Sequence, residues 1–185
     1  AHWFYACPCK ALVLACNTAT AAAADAARQR WVQWPIVGIE PAVKPAAMLT
    51  RTGQVGILAT SSTLASCRFQ RLVERFDTVT AVHPVPCPGL VDLVEQATIA
   101  PDKVRALLKP KIAQLLQAGV DVIVLGCTHY PFVADVVAEL AGPGVQIVET
   151  GEPVARQLQR VCSLTGRLWS CQRAVFAGCP ARQLF

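Results

Sequence analysis

No apolar run in the 185 residues approaches the roughly 20 needed to cross a bilayer as a helix; the most apolar stretches, such as 120–126, which Asp121 interrupts, and 11–15, fall far short, which excludes a membrane-spanning helix. Charge is sparse as well, at 16% of residues against 54% apolar. That balance excludes a disordered tail and supplies one sizeable core or two small ones. The first ten residues lack both the basic start and the long apolar middle of a signal peptide, and position 1 is not Met, so processing or truncation is expected. Nine cysteines, an odd number, fall below the density of a small disulfide scaffold. Without an export signal they read as reduced thiols of a cytoplasmic protein, some buried as small apolar side chains. A basic body is missing too. Of the net charge of +5, residues 151–185 carry +4, from Arg156, Arg160, Arg167, Arg173 and Arg182 against Glu152 alone. The nearly neutral remainder argues against nucleic acid as a partner and leaves a basic tail that could touch acidic ones.

What is present is an alternation of short apolar runs and helix-like stretches, the pattern of crossover units that build a parallel sheet covered on both faces. The expected class is therefore α/β. Strands are expected at 11–15, 36–39, 54–59, 78–82, 121–125 and 145–148, with a further candidate at 174–177. Helices are expected over 18–30, which is Ala-rich, and over 61–76, 102–118, 130–140 and 152–164. In 102–118 the residues Val104, Leu107, Leu108, Ile112, Leu115 and Leu116 face inward, Pro110 should kink or split the helix, and Gly119 should end it. Proline-rich joints at 35, 41–45 and 84–88 read as crossings between lobes.

One feature points to chemistry. Leu12-Val13-Leu14-Ala15-Cys16-Asn17-Thr18 is echoed by Ile123-Val124-Leu125-Gly126-Cys127-Thr128-His129: three apolar residues, a small one, a cysteine, then polar donors. Each cysteine stands where a buried strand ends and the chain turns toward a helix, the edge at which open α/β sheets place ligands. A thiol acts as base only as thiolate, and a helix N-terminus supplies the positive potential that favours that form. The same unpaired N–H groups, with the Asn, Thr and His side chains, cradle a carboxylate. Taken alone, either cysteine reads as a buried core residue; the duplication shifts the weight to function. Two opposed thiols can remove a proton from one face of a carbon and deliver one to the other, which inverts the centre. No lysine context suggests a pyridoxal Schiff base. Cys7 and Cys9 together with Cys162, Cys171 and Cys179 fit no standard zinc spacing, so no metal is expected. A thiol hydrolase with Cys127 as nucleophile and His129 as base is a weaker alternative, because it gives the second cysteine no role.

Residues 15–19 (Ala-Cys-Asn-Thr-Ala) and 125–131 (Leu-Gly-Cys-Thr-His-Tyr-Pro), whose cysteines are 111 positions apart, resemble the two signature motifs of bacterial glutamate racemases of the aspartate/glutamate racemase family. Residues 37–42, 55–60 and 93–95 are similar to family segments as well, and the resemblance covers roughly 10–159. It implies two pseudo-symmetric parallel-sheet lobes with the site between them: residues 1–39 plus 151–185 in the first and 40–150 in the second. It further implies cofactor-independent interconversion of L- and D-glutamate for peptidoglycan, with homodimerisation left open. Cys16 and Cys127 would be the acid/base thiols, His129 would assist Cys127, and Glu95 would be an auxiliary acid near the other thiol. Asn17, Thr18, Thr128 and His129 would hold the substrate's carboxylate and amino groups, joined by Thr60 and Thr63, although Ala59 replaces a family glycine there. The family's Asp-Ser-Gly turn and Pro-Tyr-Gly segment are not found before Cys16, so the first lobe is expected to be incomplete. The alternatives are a truncated relative that binds glutamate or a partner without turnover, and a racemase acting on aspartate.

Overall fold

The computed structural model describes residues 9–76, 80–96 and 98–164. Its strands form two all-parallel sheets. In one, β1 (Leu12–Leu14) pairs with β2 (Ile36–Gly38); in the other, β3 (Gln54–Ala59), β4 (Ala81–Pro86), β5 (Val122–Leu125) and β6 (Gln146–Val148) are ordered β4-β3-β5-β6. Helix α1 (Asn17–Arg30) joins β1 to β2, and α2 (Val43–Leu49) leads to β3. After β3 come α3 (Ser61–Leu64) and α4 (Cys67–Glu74); α5 (Leu90–Val94) and α6 (Pro101–Gln117) lie between β4 and β5. A 3-10 turn, Tyr130–Val133, runs into α7 (Ala134–Ala141), and α8 (Gly151–Leu164) follows β6 and packs against β2.

Period-two alternation divides the larger sheet into two dry faces. Leu58, Ile123 and Leu125 point into one core with Leu108, Ile112 and Leu115 of α6 and Val137 of α7. Val55, Ile57, Val122 and Val124 point into the other with Val43 of α2 and Phe69 and Leu72 of α4. Cys127 continues the odd-numbered row of β5, so its side chain falls on the α6 face. Two glycines permit the close packing. A Cβ on Gly56 would lie 2.7 Å from Leu115 Cδ1, and one on Gly126 would lie 2.9 Å from the Leu58 carbonyl oxygen.

Five of the six expected strands are found with ends trimmed by no more than two residues, and the departures have local causes. The fourth strand runs over 81–86, not 78–82, and carries the prolines assigned to a joint. It is an edge strand. Ala81 and Cys87 donate to the Gly53 and Ala59 carbonyls at 2.8 and 3.0 Å, which puts the odd-numbered amides toward β3 and the N atoms of Pro84 and Pro86 toward the outside, where no donor is needed. Pro110 does not split α6, which is one helix over its 17 residues. Both Pro110 and Ala106, whose carbonyl Pro110 leaves free, are on the exposed side, so water can pair that oxygen and the buried stripe is undisturbed. The expected 61–76 helix is interrupted because Ser66 caps a new start, its Oγ accepting from Phe69 N at 3.2 Å. The strand candidate at 174–177 lies outside the described residues. No helix among them is long and apolar enough to cross a membrane.

Asp121, 7% exposed, fixes the lower end of β5. It accepts hydrogen bonds from Thr50 Oγ1, Arg51 N and both N and Oγ1 of Thr52, at 2.5 to 3.2 Å. Burial pushes its pKa up, but these donors outweigh it and hold the carboxyl below its ordinary value. A depressed folded-state pKa contributes stability that is complete above the unfolded value of about 3.9 and lost as pH falls through the folded one. Asp121→Ala is expected to cost about 1–3 kcal/mol at pH 7, measured by urea unfolding, with the gap from the parent narrowing below about pH 4.

Candidate active site

The site is assembled from strand ends. β1 runs out at Leu14, and Cys16 takes an extended backbone (φ −138°, ψ 128°) as the N-cap of α1, its carbonyl accepting from Thr20 N at 2.8 Å. Its side chain does not cap the helix and is exposed, so the thiol stands at the positive end of a 14-residue helix. The first turn of α1 holds no acidic residue to offset that potential.

The second motif lies against the first. Asn17, 5% exposed, donates from Nδ2 to the Gly126 carbonyl at 2.8 Å, across 109 positions of sequence. A charge on Cys16, on the other side of this bond, opposes ionisation of Cys127. On the same side, Thr18 Oγ1 lies 3.3 Å from Thr60 Oγ1 and 3.2 Å from Thr63 Oγ1, and Thr60 Oγ1 donates to Thr63 Oγ1 at 2.9 Å. Thr60 also caps α3, accepting from Thr63 N. Three hydroxyls thus cluster at the start of α1, a polar lining suited to a carboxylate.

Cys127 is in a different environment. It is 8% exposed, and burial pushes its thiol pKa above the ordinary value; the backbone N–H groups of His129 and Thr128 act in the opposite direction. Its Sγ lies 3.7 Å from His129 Nδ1, and His129 Nε2 lies 2.5 Å from Glu95 Oε1. With Nε2–H donating to the Glu95 carboxylate, Nδ1 of the neutral imidazole is the acceptor facing the thiol. The chain Glu95–His129–Cys127 can therefore draw off the thiol proton that burial makes hard to lose.

The structure places the remaining expected residues as follows. Glu95, expected near the other thiol, is brought by its position at the end of α5 to His129, on the Cys127 side. Asn17, expected to hold substrate, donates from Nδ2 to Gly126 O. Cys87, which no sequence pattern singles out, is a third thiol near Cys127, with its pKa pushed up to about 11 by burial despite Lys111. His83 pairs with Gln54 Oε1 at 2.7 Å on the edge strand, a structural role. Among the described residues no group of three or more His, Cys, Asp and Glu side chains is placed to hold a metal ion.

The parallel α/β fold with a cysteine at the end of each of two strands finds a specific match among known proteins. Residues 5–158 match the Asp/Glu/Hydantoin racemase family, and the chain belongs to it. It is 51% identical over 170 residues to a glutamate racemase of Pseudomonas syringae pv. tomato and 52% identical over 165 to one of Pseudomonas aeruginosa, covering 92% and 89% of this chain. The chain spans 62% of the length of each of these curated relatives. Among solved structures, a glutamate racemase isoform from Bacillus anthracis superposes with a TM-score of 0.80 at 32% identity, covering 91% of this chain and 64% of that one. The Escherichia coli glutamate racemase, in complex with L-glutamate and the activator UDP-MurNAc-Ala, superposes with a TM-score of 0.74 at 31% identity, covering 84% and 59%.

The contrast between an exposed and a buried thiol is directly measurable. Iodoacetamide at pH 7 is expected to modify Cys16 well before Cys127, with modification of Cys127 accelerating as the solution is made more alkaline, read by peptide mass mapping. Equal rates at pH 7 would contradict the burial.

Proposed function

We propose that this chain carries the two-thiol centre of a cytoplasmic glutamate racemase, interconverting L- and D-glutamate without a cofactor and supplying D-glutamate for peptidoglycan. The observation that carries the reading is the Asn17–Gly126 hydrogen bond, which sets the two cysteine motifs side by side. The glutamate racemases among its relatives support glutamate over aspartate as substrate. The separation of β1–β2 from β3–β6, with α8 returning to β2, supports residues 1–39 plus 151–185 as one lobe and 40–150 as the other. The nearly neutral body supports a small anionic substrate over nucleic acid; homodimerisation is a question for sedimentation.

In this reading one thiolate takes the α-proton and the C–H electron pair stays on the carbon, delocalised into the adjacent carboxylate. The opposite thiol then protonates the other face, and the two cysteines exchange protonation states. Deprotonation by Cys16 draws on the helix end; deprotonation by Cys127 draws on His129 and Glu95. Thr18, Thr60, Thr63 and Thr128 would hold the carboxylate and amino groups, so that the charge developing beside the carbon meets fixed dipoles.

The test is exchange. D-Glutamate in deuterated water is expected to gain deuterium at the α-carbon as optical rotation decays, and Cys16→Ser or Cys127→Ser should each reduce racemisation by at least about a hundredfold. Full activity in either variant would refute the two-thiol mechanism, and glutamate binding without exchange in the parent chain would identify a non-catalytic relative. Glu95→Gln is expected to lower kcat by about 10- to 100-fold, since it loosens the imidazole behind Cys127.

A further inference from the structure

Among the described residues no backbone ladder joins the β1–β2 sheet to the four-stranded one, so the spacing of the two cysteine motifs is left to side chains that cross between them. Two of those crossings, Asn17 to Gly126 and Thr18 to Thr60 and Thr63, belong to the thiol site itself. A third stands apart from the thiols. Arg68 of α4 directs Nη2 to Glu40 Oε1 at 2.5 Å and Nη1 to Asp25 Oδ1 at 3.4 Å.

Both ends of this contact are anchored. On one side Phe69, 5% exposed, seats α4 in the core beside Ile57 and Val124, which fixes the backbone that carries Arg68. On the other, Glu40 follows Ile39, whose N–H donates to Leu14 O at 3.2 Å and to Thr20 Oγ1 at 3.1 Å. Leu14 ends β1 and Thr20 lies on α1, so Glu40 is tied to both elements that flank Cys16; Asp25 lies further along α1. The Arg68 and Glu40 side chains are only 27% and 38% exposed, whereas Asp25 is 74% exposed. The shorter, more sheltered Glu40 contact should therefore carry most of the effect. The crevice that Asn17, Glu40, Thr63, Arg68 and Phe69 share is about 10 Å³, so the ion pair is packed into the same wall as Asn17.

We propose that Arg68 is a positioning residue of the thiol centre: paired with Glu40 and Asp25, it straps α1 and the crossing after β2 to α4, and so holds Cys16, at the head of α1, in its relation to Cys127. It acts through α1 and not on the reacting carbon. The strap stands on geometry; its effect on turnover rests on the racemase reading, which requires both thiols to be placed against one carbon.

Hydrogen exchange read by mass spectrometry tests the strap without turnover. Arg68→Met keeps an apolar stem and removes the charge; amides of 17–30 and 36–40 are expected to exchange on the order of fivefold faster than in the parent chain, with those of 101–117 unchanged within about twofold. Arg68→Lys keeps a cation for Glu40 and should recover part of that protection. Glu40→Gln leaves α4 intact, should give a smaller change in the same segments, and carries the comparison if Arg68→Met fails to fold. Exchange at the parent rate in these variants, acceleration spread evenly over the chain with 101–117 included, or no difference between Arg68→Lys and Arg68→Met would overturn the strap. In kinetics, Arg68→Met is expected to lower kcat by about tenfold while KM moves less than about threefold, with part of the loss recovered in Arg68→Lys. Parent-like kcat in Arg68→Met would overturn the positioning role. A parent chain without turnover would count against the racemase reading alone, since hydrogen exchange still decides the strap.

Discussion

The hydrogen bond from Asn17 Nδ2 to the Gly126 carbonyl carries more of this structure than its 2.8 Å suggests. It joins the residue after one cysteine to the residue before the other, and it does so in a buried setting where an unpaired amide would be costly. For it to form, β5 must emerge close to β3. Gly126 makes that approach possible, donating to Leu58 O at 2.7 Å where any side chain would press on the same carbonyl. The small residue in the repeated motif is thus a steric requirement of the join, and the polar residue after Cys16 is its fastener.

Around that join the two thiols are prepared in different ways. Cys16 is exposed at the head of α1, where backbone N–H groups supply the favourable potential. Cys127 is buried against the α6 core, and its thiolate is penalised by loss of water. What compensates is local: two backbone N–H groups of its own turn and an imidazole oriented by Glu95. The asymmetry suits a reaction in which the two groups must alternate as acid and base, because each can reach either state by a different route.

How much of this is legible in the sequence depends on distance along the chain. Strand positions can be read because each is a short apolar run between polar breaks, and the site can be read because the same seven-residue pattern occurs twice. The edge strand is misplaced by such a reading because prolines at 84 and 86 look like a break when the neighbouring strand is unknown. The link of Glu95 to His129 spans 34 positions and that of Arg68 to Glu40 spans 28, and nothing local in the sequence announces either. Asn17 stands out in the sequence, but its partner does not, because the pattern marks a polar residue at a strand end and says nothing about which atom it will face.

The proposed chemistry requires that Cys16 and Cys127 open onto one shared cavity. A short bifunctional thiol reagent, followed by mass mapping of the joined peptides, reads this most directly. A bridge between the Cys16 and Cys127 peptides is expected, forming more slowly in the presence of glutamate. Recovery of the two cysteines as separately modified peptides, or of Cys16 bridged to Cys67 in preference to Cys127, would contradict it.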